Sequence, residues 1–170
     1  MDATGLRDLQ RPLKRMYRDA PMSALVPLRA EGRLVGDGVT CTVEAWPGLT
    51  RADLHPATGG DGRDACSGDM LLEALAACAG VTLRSVATAM GVVLVDARVV
   101  VEGHFDARGT LGVDRDVAVG LTDVAITFAF DTDADHDKVA RLVVLAERYC
   151  VVAQTLRNPP SVTVRHEVNR

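Results

Sequence analysis

Residues Asp69 to Met90 constrain the fold more than any other part of this chain. They read DMLLEALAACAGVTLRSVATAM, twenty-two residues with three charges, Asp69, Glu73 and Arg84. Ala and Leu dominate, and both favour helix. Gly91 follows as a natural stop. Ser67 is the expected N-cap, and Asp69 in the first turn suits the positive end of a helix. A helix apolar nearly all round must be covered on most of its faces. One small sheet cannot do that, so the segment predicts a core helix and a second copy of the chain to complete its burial.

The flanking sequence predicts mainly strands. Leu25 to Leu28 and Val39 to Val43 are β-prone, and Gly36-Asp37-Gly38 between them has turn chemistry, which predicts a hairpin. Pro47 to Ser67 is the least regular stretch and includes Gly59-Gly60-Asp61-Gly62; a long loop of this kind is a candidate lid. After the helix, Val92–Phe105 and Val117–Phe130 look like strands joined by the charged loop Asp106 to Asp116. A second helix is expected from Asp135 to Tyr149, capped by Asp133 or Asp135. The chain closes on an alternating strand, Ser161 to Val168, with Val162, Val164, His166 and Val168 on one face. Residues 1–21 read as an N-terminal arm with a helical turn or two, broken at Pro12, and residues 22–170 as one domain. The class is α+β with a mainly antiparallel sheet.

Bulk properties exclude several functions. The chain has 170 residues and a net charge of −4, so the basic excess of a nucleic-acid binder is missing. No uninterrupted apolar run reaches bilayer-spanning length, and Leu6 to Arg18 carries charges where a signal peptide would be apolar. The expectation is a cytoplasmic protein with no nucleic-acid or membrane partner. In a reducing compartment four cysteines are free thiols, metal ligands or redox groups. No C-x-x-C or H-x-x-x-H spacing points to zinc, and no phosphate-binding glycine loop is present.

Cys78 stands mid-helix between small residues, which leaves room for another group to approach its sulfur; a packed core cysteine is the alternative. Cys150 ends the second helix beside Arg148, a cation that would favour a thiolate. Cys66, twelve residues before Cys78, is too far along the helix for a disulfide and reads as a loop cysteine near a site mouth. Cys41 reads as core. For Cys78 to act as a nucleophile it needs a cation. The positive field of its own helix fades within the first turn, so an arginine is expected: Arg63 before the helix, or Arg33 or Arg29 in the first hairpin, reaching in from the same or the partner subunit.

Two motifs resemble those of one family. Cys66-Ser67-Gly68-Asp69-Met70-Leu71-Leu72-Glu73-Ala74-Leu75-Ala76-Ala77-Cys78 resembles the central-helix motif of the OsmC/Ohr proteins, the osmotically inducible and organic-hydroperoxide-resistance proteins. Arg148-Tyr149-Cys150-Val151-Val152-Ala153-Gln154-Thr155-Leu156 is similar to their second cysteine motif. The resemblance spans Met22 to Val168 and implies an intertwined homodimer whose sheets wrap two central helices. It implies that Cys78 attacks a hydroperoxide and that Cys150 resolves it as a disulfide. Turnover would need no metal or organic cofactor, and an external thiol would reduce the protein.

Two positions depart from that pattern. Hydroperoxide-resistance members carry a glutamate ten residues before the attacking cysteine, where it orients the arginine. Gly68 stands there, and Asp69, the nearest acid, lies about 180° from Cys78 around a regular helix. Val151 stands where a proline commonly follows the second cysteine. A non-catalytic small-ligand or stress protein of the same fold is therefore the rival expectation.

Overall fold

The computed structural model of the chain describes residues 2–36, 38–45 and 48–168. Helix α1 (Ala3–Asp19) opens it, with the Asp2 carboxylate accepting from the Gly5 amide as N-cap. It is one continuous helix through Pro12 rather than a broken arm. Leu9, Leu13 and Met16 stay exposed along it.

Strands β1 (Gly32–Leu34), β2 (Cys41–Ala45), β3 (Gly48–Asp53) and β4 (Ala65–Cys66) form a sheet in that order. The first two pairings are antiparallel and β3–β4 is parallel. The expected hairpin exists, but its first strand is Gly32–Leu34, with Leu34 opposite Cys41. Leu25 to Leu28 is exposed and belongs to no described strand. Pro27 has no amide to give a ladder, and the turn starting at Gly36, in the left-handed region at φ +66°, brings the later residues together. Asp37 of that turn lies outside the described residues. The stretch expected to be irregular contributes β3 and β4. Within it Gly59-Gly60-Asp61-Gly62 does remain a loop, and a Cβ on Gly60 would sit 1.7 Å from the Leu54 carbonyl oxygen.

Helix α2 (Ser67–Met90) follows β4 directly and ends at Gly91, φ +63°. Cys66, not Ser67, is the N-cap, because the extended backbone of β4 runs straight into the first turn and Ser67 is already helical. Strand β5 (Val95–Phe105), the short helix α3 (Ala107–Thr110) and strand β6 (Leu121–Asp131) come next. β5 and β6 pair antiparallel as a second, two-stranded sheet, with Val101 opposite Ile126. Helix α4 (His136–Tyr149) starts on Asp135, whose carboxylate accepts from the Lys138 amide at 2.8 Å. A final helix, α5 (Val151–Arg157), begins one residue after α4 ends.

The expected terminal strand does not form in a single chain. Val162, Val164 and Val168 are 85%, 88% and 74% exposed, and no described strand pairs with them. Period-two patterning tells which face a strand will bury, but not which sheet edge receives it.

The core has two parts. Leu83, Ala87, Val92, Leu94, Leu142 and Ala146 join α2 to α4 and the start of β5. Leu75, Ala79, Cys150 and Ala153 form the second, with Cys78, Val99, Val101 and Ile126 against it. The buried residues of α2, namely Leu75, Ala79, Leu83 and Ala87, recur every four residues, so one edge faces the core. The opposite side is open, with Val81 72% exposed. Within one chain α2 is therefore half-covered, not buried on most faces. By length and composition alone α2 would also suit a bilayer span; here its buried edge packs on α4, α5 and β5.

A candidate active site at Cys78 and Cys150

The break between α4 and α5 builds this site. Cys150 occupies it with an extended backbone, φ −74° and ψ 106°, acting as C-cap of α4 and N-cap of α5. The first amides of any helix lack an intrahelical acceptor. In α5 the first amide bonded back within the joint is that of Gln154, to the Cys150 carbonyl at 2.9 Å. The amides of Val151, Val152 and Ala153 precede it and have the two cysteine sulfurs as neighbours.

Cys78 lies in the middle of α2, partly buried, against Cys150. Burial alone would push its thiol up. The N–H of Val152, the Cys150 thiol and the N–H of Val151 donate to its sulfur, outweigh burial, and hold the pKa below its ordinary value. Thr82 adds a little, but its one hydroxyl proton goes to the Cys78 carbonyl at 2.7 Å. Cys150 moves the other way. It is 1% exposed, and burial raises its pKa. The Ala153 amide works against this, and the neighbouring Cys78 sulfur adds to the rise. One thiol is thus poised to ionise first while the other keeps its proton and donates it. A nucleophile and a resolving thiol need that division.

Within one chain the helix start that lies against Cys78 is that of α5, not α2. Arg148 is exposed, with its guanidinium 6.0 Å from the Tyr149 ring centroid. Arg63 is 87% exposed and pairs with Asp61 at 3.4 Å. Arg29 and Arg33 both pair with Glu31 at 2.7 Å. Asp69 is exposed in the first turn of α2, and Gly68 beside it has the Cys66 sulfur as its neighbour. Cys41 is only partly buried in β2. The structure brings Cys78 and Cys150 together; Arg63 and Asp69 face solvent at the far end of α2.

The sequence reading missed the amides of Val151 and Val152, since only side chains were searched. It also missed a groove of about 500 Å³ beside the pair. Leu71, Leu75, Ile126, Phe128, Ala153 and Leu156 line it, with Glu147 and Arg157 at its edge. Its Leu75 and Ala153 pack in the same cluster as Cys150. Among the described residues no group of His, Cys, Asp or Glu is arranged to hold a metal ion.

Residues 60–165 match the family model described as OsmC-like protein. No curated protein sequence matches the chain. Among solved structures, an OsmC-like protein from Mycoplasma pneumoniae superposes with a TM-score of 0.66 at 16% identity, covering 79% of this chain and 89% of that one. An organic hydroperoxide resistance protein from Elizabethkingia anophelis gives 0.64 at 14% identity, covering 81% and 93%. One from Legionella pneumophila gives 0.57 at 20% identity, covering 79% and 91%. At these identities the structures establish the shared α+β fold.

Proposed function

The chain belongs to the OsmC-like protein family, and from that premise we propose that it is a thiol peroxidase that reduces organic hydroperoxides through Cys78 and Cys150. The observation that carries the reading is the packing of the partly buried Cys78 against the buried Cys150 at the α4–α5 break; the directions of their pKa shifts, Cys78 down and Cys150 up, agree with it. The Cys78 thiolate attacks the terminal peroxide oxygen. A sulfur–oxygen bond forms, the oxygen–oxygen bond breaks, and the alkoxide leaves as the alcohol after taking a proton. The sulfenic acid on Cys78 is then attacked by Cys150, which gives up its thiol proton. A disulfide forms and water departs. An external dithiol returns both cysteines to thiols, each exchange passing through a mixed disulfide.

The apolar groove favours substrates with an alkyl body over hydrogen peroxide. In this reading the open side of α2 and the unpaired Ser161–Val168 segment meet a second copy, giving a homodimer, and the protein works in the cytoplasm. A non-catalytic small-ligand protein is the second reading; Gly68 in place of the family acid and the groove favour it.

The test is one equivalent of cumene hydroperoxide followed by mass spectrometry. A Cys78–Cys150 disulfide supports the peroxidase, and an unmodified protein supports the ligand-binding reading. Cys78→Ser abolishes peroxide consumption, while Cys150→Ser permits a single turnover. Retained activity in Cys78→Ser would sink the mechanism.

A further inference from the structure

The donors to Cys78 are useful only if α5 is held at a fixed angle to α4; Ala153 packs α5 into the core, and Glu147 takes the side-chain polar contacts that tie it to α4. The Glu147 carbonyl accepts the Cys150 amide at 3.3 Å and the Gln154 side-chain amide at 3.1 Å. The Glu147 carboxylate pairs with Arg157 at 2.6 Å. Gln154 sits one turn into α5 and Arg157 at its end. Two side chains of α5 therefore reach back across the Cys150 break to a single residue of α4. This sets the direction of α5 without any contact to the Cys78 sulfur.

We infer that Glu147, Gln154 and Arg157 form a clasp of positioning residues that keeps the Val151 and Val152 amides on Cys78 and so sets its reactivity. The inference rests on the thiol-peroxidase reading for its purpose, but not for its measurement. No charged side chain is among the groups acting on the Cys78 sulfur. Arg157 and Glu147 are 66% and 35% exposed, so their pairing alone adds little to stability. Its effect is geometric: when the clasp opens, α5 swings about Cys150 and its amides leave the thiolate.

Titration of Cys78 tests this, with Cys41→Ala and Cys66→Ala as background. Iodoacetamide labelling across pH, read on the Cys78 peptide by mass spectrometry, gives the pKa without any peroxide. Arg157→Gln and Glu147→Gln remove charges of opposite sign. If these charges acted directly on the thiolate, the first would raise the pKa and the second would lower it. A clasp raises it in both, by about one unit, which is a roughly tenfold slower labelling at neutral pH. Gln154→Leu, which changes no charge, gives a rise of the same sign, and Arg157→Lys restores most of the wild-type value. Near-UV circular dichroism confirms that each variant is folded. Opposite shifts in the two charge variants, or an unmoved Cys78 pKa in Gln154→Leu, overturn the clasp. Peroxidase activity is read separately. A wild-type chain without turnover but with these shifts would refute the peroxidase and leave the clasp standing.

Discussion

Replacing Val151 by proline deletes one backbone donor and little else. Val151 is the first residue of α5, where its amide has no intrahelical partner and proline is well tolerated. The residue before it, Cys150, already has the extended backbone that a following proline demands, φ −74° and ψ 106°. The Val151 side chain is 66% exposed, so its loss leaves no core cavity. What disappears is one of the two amides donating to the Cys78 sulfur. A hydrogen bond to a charged group contributes about 1.5–3 kcal/mol, and one pKa unit corresponds to about 1.4 kcal/mol. Val151→Pro therefore raises the Cys78 pKa by about one to two units. The sign follows because the lost donor stabilised the thiolate alone. The rate of thiol labelling at neutral pH falls about 10- to 100-fold, and its pH profile moves to the alkaline side by the same interval. Thiolate absorbance near 240 nm, followed against pH in the Cys41→Ala, Cys66→Ala background, is an independent assay. A folded Val151→Pro protein with an unmoved Cys78 titration would refute the claim that backbone amides activate this cysteine.

Two further outcomes test the fold. Leu142 is 0% exposed in the cluster that ties α2 to α4; Leu142→Ala costs about 2–5 kcal/mol in urea unfolding, and a loss under 1 kcal/mol would show that this cluster is not a tightly packed core. Ending the chain after Pro160 removes the exposed valine face at Val162, Val164 and Val168. Sedimentation velocity then shows the shortened chain dissociating at concentrations where the full chain is associated; equal association of both would place the interface elsewhere.

Helices α2 and α4 were legible in the sequence because their signals are local, whereas α3 and α5 fell where only loop was expected. Gly91 ended α2 where its left-handed φ of +63° requires, and Asp135 capped α4. Strands depend on partners remote in sequence. Leu25 to Leu28 looked β-prone, yet the strand that pairs with β2 is Gly32 to Leu34. The terminal valines had the right alternation but pair with no described strand of the chain. At the site, the two cysteines could be found from their motifs, but their activation could not. It depends on peptide N–H groups, which every residue except proline carries. Within one chain Arg63, Arg33 and Arg29 are each paired with a carboxylate close by in sequence. The two departures from the family pattern also differ in kind. Gly68 lacks an acid side chain, whereas Val151, in place of proline, supplies an amide that falls on the reactive sulfur.

That amide also changes how mutation can reach the chemistry. A cation on a side chain is lost by almost any substitution at its position, so selection guards the residue type. A donor in the main chain survives any residue at 151 or 152 except proline, and both side chains are free to drift toward whatever the surrounding surface needs. On the clasp proposal, control over the thiol passes to the joint that aims the peptide groups, and substitutions at Glu147, Gln154 and Arg157, not beside the sulfur, are the ones expected to tune reactivity.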